Sequence, residues 1–271
     1  MTTLGILSCR IFEDELIYFI LHNKEFNQIL LFNNENIHET FEKKLIKNNI
    51  KYCLCNTYQE INSYLSKNSN SIKILFLKII GLGLHSYPNQ LKEYIYNELT
   101  LLNEKTSLKN ILLYYGLCGN VLGNVEKDFN TKDFHVFILK EKNGEIVDDC
   151  VGAILEGREN YLKLLKSFNK IGTLIEIPMG AITIDHFMFK NLLNSNISEK
   201  KAQKMIKKMY DIANYEKMLL LDTGLPYTPY EEAKKKAKDH ADKFQLKLYE
   251  KKLGSQRLFQ ENYERIKDRL L

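Results

Sequence analysis

Short apolar runs of β type alternate with helix-like patterns along most of this sequence. Because strands and helices that alternate in this way build βαβ units, the pattern favours a mostly parallel sheet and predicts an α/β fold. The run Ile72–Ile80 is almost continuously apolar, which is typical of a strand buried on both faces of such a sheet. Nine strands are expected, at Leu4–Ser8, Gln28–Phe32, Lys51–Cys55, Ile72–Ile80, Asn110–Tyr115, Asp133–Lys140, Gly172–Ile177, Lys217–Asp222 and Leu246–Glu250.

The size of the chain allows one large domain or two lobes. Its 271 residues are 44% hydrophobic, which is enough apolar material for a large core. We expect a single α/β domain over residues 1–271, with two Rossmann-like lobes as the alternative. The alternation falters after Asn124 and resumes at Asp133, so in the two-lobe alternative the boundary would lie near residues 124–133.

Charge and cysteine content narrow the class of protein. The net charge is +5, but lysines and acidic residues are interspersed, which predicts no nucleic-acid partner and no membrane partner. No apolar run approaches the roughly 20 residues that a membrane span needs, and the N-terminal segment lacks signal-peptide features. Five cysteines, an odd number, then indicate reduced thiols and a cytoplasmic location.

The sequence lacks several common catalytic motifs. It has no Walker loop, no Gly-x-Gly-x-x-Gly after the first strand, no Gly-x-Ser-x-Gly elbow and no His-Glu-x-x-His. Chemistry-bearing residues do follow predicted strands or begin predicted helices, at Cys9, His85, Cys118, Asp149 and Cys150. Because ligands bind at the carboxyl ends of strands in open α/β sheets, these side chains are expected to face a crevice.

The thiols and the imidazole in this set suggest a metal. A thiol at a helix N-terminus lies near unpaired amide donors and the positive end of the helix dipole, which favour the thiolate. Thiolates that converge with an imidazole form a ligand set typical of zinc. We therefore predict a site for zinc or another transition metal at Cys9, His85, Cys118 and Cys150. The alternative is that each is a separate packing residue, since buried free cysteines are common.

Four stretches of the sequence carry a family resemblance. They are Leu84-His85-x-x-Pro88-x-x-Leu91, Tyr115-Gly116-Leu117-Cys118-Gly119, Asp149-Cys150 with Leu155 to Tyr161, and Gly172-Thr173. In this order they resemble the domain of unknown function 1638 (DUF1638) family of methanogenic archaea and anaerobic bacteria. The resemblance implies a role beside corrinoid-dependent methyl transfer in one-carbon metabolism. The family pattern carries over to Cys9, His85, Cys118, Asp149 and Cys150.

The first functional interpretation is a metal-dependent enzyme of one-carbon metabolism. A metal held by the predicted ligands would activate a thiol or water for transfer of a methyl or related group. Asp149 is expected to orient a ligand imidazole or to start the next helix, and Arg158 is expected to bind an anionic group. Thr173 and Thr223 are expected to line the same rim as cofactor-binding residues.

The second interpretation is a non-catalytic accessory module. Such a module would bind a metal, a corrinoid or a corrinoid protein without turnover of its own. His85 could then be a lower axial ligand, although the Asp-x-His-x-x-Gly loop of cobalamin-binding domains is absent from the sequence. In both interpretations the expected partner is a small molecule or a corrinoid protein.

Overall fold

The nine predicted strands are all present in the computed structural model, which describes residues 3–33, 39–67, 73–193 and 197–269. Their ends differ from the predicted ends by a few residues; Ile72, the predicted start of one strand, lies outside the described residues. The predicted α/β class is confirmed. The chain divides into two units, one of residues 1–153 and 256–271 and the other of residues 154–255. Residues 124–133 all belong to the first unit.

The first unit contains a six-stranded parallel sheet. Its strands are β1 (Thr3–Cys9), β2 (Gln28–Phe32), β3 (Cys53–Cys55), β4 (Ile74–Ile80), β5 (Asn110–Tyr114) and β6 (His135–Ile138). They are ordered β3-β2-β4-β1-β5-β6. All seven residues of β4 are buried, as expected for a strand covered on both faces.

Helices cover both faces of this sheet. The helices of the first unit are α1 (Glu13–His22), α2 (Glu39–Lys47), α3 (Tyr58–Lys67), α4 (Pro88–Lys105), α5 (Val125–Phe129) and α11 (Arg257–Lys267), together with α6 (Cys150–Ile154), whose last residue belongs to the second unit. One face packs against α3 and α4 through apolar side chains such as Ile61 and Ile95. On the other face Tyr114 makes edge or tilted ring contacts with Phe12, Phe19 and Phe259. The central strands are therefore shielded from water on both sides.

The strand order places a topological switch point beside β1. From β1 the chain runs to β2, towards the β3 edge of the sheet, whereas from β5 it runs to β6, at the opposite edge. Because β1 and β5 are neighbours, with Ser8 opposite Tyr114, the connections that leave these two strands run in opposite directions. Ligands in open α/β sheets bind in the crevice that such a divergence opens at the carboxyl ends.

The second unit contains its own parallel sheet of three strands, in the order β7-β8-β9. The strands are β7 (Gly172–Glu176), β8 (Tyr215–Asp222) and β9 (Lys247–Lys252), and the helices are α7 (Arg158–Lys166), α8 (Pro178–Leu193), α9 (Glu199–Ile212) and α10 (Tyr230–Phe244). Its core joins α8, α9 and α10 to the sheet through residues such as Ala181, Ile206, Ala237 and Leu220. Within the described ranges, no helix is both long and apolar enough to cross a membrane.

Candidate functional site

The carboxyl edge of the six-stranded sheet brings Cys9 and Cys118 together. Cys9 is the last residue of β1, and Cys118 lies four residues beyond the end of the neighbouring β5. Both are half-buried and pack against the core shared by α3 and α4. A negative charge on Cys118 would raise the pKa of the Cys9 thiol further, so the two thiols interact electrostatically. Both residues therefore lie at the switch point.

The backbone around Cys118 is held by the segment before α6. The amide of Leu117 donates to the carbonyl of Val147 at 2.8 Å, and the amide of Cys118 donates to that of Asp148 at 3.2 Å. A Cβ on Gly116 would lie 2.5 Å from the Val147 carbonyl oxygen, so only glycine permits this approach. Cys118 itself has φ of 45°, an uncommon conformation for a residue with a side chain. The connection fixes Asp149 near Cys118.

Asp149 caps α6 and also acts on two site residues. Its carboxylate accepts a hydrogen bond from the amide of Gly152 at 2.7 Å, and its carbonyl accepts one from Ala153 at 3.0 Å. Its charge adds to the effect of burial in raising the pKa of the Cys118 thiol, and it opposes the lowering of the His85 pKa that burial causes. Burial raises the pKa of the Asp149 carboxyl itself. Asp149 thus links the cysteine and the histidine.

His85 reaches the same edge from the neighbouring strand. It lies in a short 3-10 turn, Leu84–Ser86, after β4, and Gly83 enters this turn with φ of 107°. The residue is open to solvent, but partial burial of its ring lowers its pKa below the ordinary value of 6.5, and the charge of Asp149 opposes this shift. At neutral pH the imidazole is therefore mostly neutral and able to accept a proton.

The expectation that helix N-termini make the cysteines thiolates is wrong for Cys9 and Cys118. Burial raises the pKa of the Cys9 thiol to about 12, although the amide of Ile11 and the hydroxyl of Tyr115 donate to the sulfur. Burial likewise raises the pKa of the Cys118 thiol to about 11 against one favourable backbone hydrogen bond. Desolvation exceeds the amide contributions because the turn after Cys9 has only three residues and the sulfurs pack on apolar side chains.

Alkylation rates check these thiol pKa values. At pH 7 the thiolate fraction of Cys118 should be about 100-fold below that of an ordinary thiol, because its pKa rises from 9.0 to about 11. We expect iodoacetamide to label Cys118 correspondingly slowly, as measured by peptide mass spectrometry from pH 7 to 11. The same protein unfolded in urea provides the control. Equal rates in the folded and unfolded protein at pH 7 would contradict the burial of this thiol.

Sequence reasoning missed several residues next to the site. Tyr115 is buried and bonds to Cys9, but an aromatic residue at the end of a strand resembles any core residue. Glu13 is also fully buried in the first turn of α1; it accepts hydrogen bonds from Arg10 Nε at 3.0 Å and Thr40 Oγ1 at 2.7 Å. Lys44 Nζ lies 2.9 Å from its other oxygen. Acidic residues are common at helix starts, so the sequence carries no signal of this burial.

The remaining predicted site residues are divided between the two units. Cys150 follows Asp149 directly and is the half-buried first residue of α6 in the first unit. Arg158 begins α7 in the second unit and is exposed. Thr173 pairs with Lys217 near the amino end of the second sheet, whereas Thr223 follows its carboxyl end. Thr223 lies six residues beyond Lys217, the residue that pairs with Thr173, and six residues of strand span about 20 Å. The two threonines therefore do not line one rim.

The residues at the sheet edge do not form a metal centre as they are placed. Over the part of the chain that the structure describes, no group of three or more His, Cys, Asp or Glu side chains has an arrangement that could hold a metal ion. Zinc, another transition metal and a corrinoid stay predictions.

Comparison with known proteins identifies the family. Residues 79–261 match the model of the family described as "Protein of unknown function (DUF1638)", which covers more than half of the chain. The chain belongs to this family, and the resemblance predicted from the sequence is confirmed. Neither a curated protein nor a solved structure matches it significantly. The matched segment includes His85, Cys118 and Asp149.

Proposed function

We propose that this protein is an enzyme that transfers a methyl or related one-carbon group to a thiol acceptor, with His85 as the general base. The single observation that carries the proposal is the electrostatic link of Asp149 to both His85 and Cys118 at the switch point. An acid-base pair at the carboxyl edge of a parallel sheet is where an α/β enzyme places its chemistry.

The charges of the site suit proton transfer from a bound acceptor. His85 is neutral because partial burial lowers its pKa, so it can take the proton of an acceptor thiol. The Asp149 carboxylate favours the imidazolium that results, as a carboxylate does beside a catalytic histidine. The acceptor sulfur then forms its bond to carbon, while the bond between carbon and donor breaks and leaves its electron pair on the donor.

Cys9 and Cys118 have a different task in this proposal. Their raised pKa values make them poor nucleophiles, so we assign them to the lining of the site. Neutral thiols provide a soft, polarisable surface for an apolar carbon group and an acceptor sulfur. No step uses a metal, because the described residues supply no arrangement that could hold one.

The identity of the transferred group rests on the family resemblance. The resemblance implies a methyl-transfer context, and we therefore propose a small molecule or a corrinoid protein as the methyl donor. The alternative is the accessory module, which would bind the donor without turnover.

The test measures methyl transfer from methylcobalamin to a small thiol by mass spectrometry. We expect His85→Gln to reduce the rate by roughly 10²-fold or more, the usual contribution of a general base. The rate should rise with pH through the lowered pKa of His85 and then become constant. His22→Gln is the matched control, because it makes the same substitution at a histidine at the end of α1 that is not one of the site residues. Transfer by His85→Gln at the wild-type rate would refute the proposal, and methylcobalamin binding without transfer would favour the accessory module.

A further inference from the structure

We propose that the outward face of α9 is a docking surface for an acidic amphipathic helix of a partner protein. Three large apolar side chains on this helix are exposed: Met205 by 42%, Met209 by 51% and Ile212 by 76%. This inference is independent of the proposed catalytic function, since α9 belongs to the second unit and the site belongs to the first.

The exposed residues form one stripe along the helix. Met205, Met209 and Ile212 are separated by four and three residues, the spacing that places side chains on one face of an α-helix. The same helix already buries another face, through Ala202, Ile206 and Tyr210, in the core of the second unit. Folding of this unit therefore accounts for one apolar face and leaves the other in water.

The charges beside the stripe indicate the chemistry of the partner. Two exposed lysines flank the stripe: Lys201 lies four residues before Met205, and Lys208 lies directly before Met209. Both positions fall on the edge of the stripe that is away from the buried face of the helix. Along with Lys204 they have no ion pair within the described residues, whereas Lys207 bonds Asp211 at 2.6 Å. Lysines that flank an apolar helix seam select a partner with glutamate or aspartate at the matching positions.

Other occupants fit this surface less well. A second copy of α9 would place lysines against lysines, and like charges oppose such pairing. A membrane-surface helix usually carries tryptophan, phenylalanine or leucine on its apolar face, but the stripe consists of two methionines and one isoleucine. Methionine is instead typical of surfaces that bind helices of partner proteins.

The experiment uses a designed probe peptide with the full-length protein. The peptide is a fluorescent amphipathic helix with leucine at heptad spacing and glutamate at the flanking positions, and a scrambled peptide of the same composition is the reference. We expect binding of the helix, measured by fluorescence anisotropy, to weaken with added salt. The double variant Met205→Ser/Met209→Ser should lower the affinity at least about tenfold, because it removes two apolar side chains that the bound helix would cover. Leu162→Ser, at a side chain that is 46% exposed on α7, is the matched control and should bind as the wild type does.

Thermal unfolding followed by circular dichroism shows whether each variant folds, and Lys201→Gln/Lys208→Gln tests the charges without changing an apolar residue. Equal binding of the designed and scrambled peptides would overturn the proposal. So would unchanged affinity in the methionine variant. The wild-type protein could instead sediment with phosphatidylserine vesicles, lose this sedimentation in Met205→Ser/Met209→Ser, and bind no peptide. That result would identify a lipid surface as the partner and would also overturn the proposal.

Discussion

Replacement of Lys78 by methionine is expected to lower the free energy of unfolding by roughly 3–5 kcal/mol, the cost of breaking a buried ion pair at one partner. Lys78 lies in the central strand β4 and is only 2% exposed. Its Nζ is 2.6 Å from Glu98 Oε2 and 4.3 Å from the centre of the Phe32 ring. Without the ammonium group, the Glu98 carboxylate would stay in an apolar core with its charge uncompensated. Urea unfolding curves measure the change.

The double variant Lys78→Met/Glu98→Leu is the control for this prediction. It removes both charges, so it should recover most of the lost stability, because apolar residues of similar volume often replace a buried ion pair at little cost. The hydroxyl of Tyr58, which donates to Glu98 at 2.7 Å, would lose that acceptor in the double variant. If the free energy of unfolding of Lys78→Met lies within about 1 kcal/mol of the wild-type value, the buried ion pair contributes no more to stability than an exposed ion pair does.

Replacement of Glu15 by glutamine is expected to stabilise the protein at pH 8 and above, by up to about 5 kcal/mol. Burial, with the nearby Asp14, raises the pKa of the Glu15 carboxyl from 4.5 to about 8, against the opposing charge of Lys44. One Glu15 oxygen and the hydroxyl of Tyr114 are buried, and neither has a hydrogen-bond partner among the described residues. The fold therefore favours the neutral acid.

The pH dependence follows from the direction of this shift. Because the folded pKa of Glu15 lies above the unfolded value, its contribution to stability is fully present below pH 4.5 and is lost as the pH rises through about 8. In Glu15→Gln this loss should be absent, so the stability difference from the wild type should grow between pH 5 and pH 8. Glu104→Gln, at an exposed position of α4, is the control. A difference that does not change with pH would contradict the assignment.

The sequence predicted the strands of the first unit and their mostly parallel arrangement because buried parallel strands have a strong local signal. The apolar runs of β1 and β5 predicted that Cys9 and Cys118 follow strand ends, and the carboxyl ends of parallel strands meet at one sheet edge; that these two strands are neighbours comes from the structure alone. Lys78 shows where this reasoning stops. Within an apolar run a lysine has no local partner, and Glu98 lies 20 residues further along the chain.

The electrostatics of the site could not be predicted from the same sequence. The thiolate expectation came from helix starts, but the pKa of Cys118 depends mainly on burial, which the tertiary packing decides. The shared rim of Thr173 and Thr223 was wrong for a related reason, since strand register places the two residues at opposite ends of the second sheet. Local helix and strand patterns carry little information on the burial of a side chain by tertiary packing or on the register between strands.

The link between Asp149 and His85 is tested most directly by the pKa of His85, followed by NMR in the wild type and in Asp149→Asn. Asparagine is also a good helix N-cap, so α6 is expected to keep its first turn. The pKa of His85 should lie below 6.5 in the wild type, and it should fall further in the variant, because the carboxylate that raises it is gone. An identical pKa of His85 in both proteins would contradict a shared site.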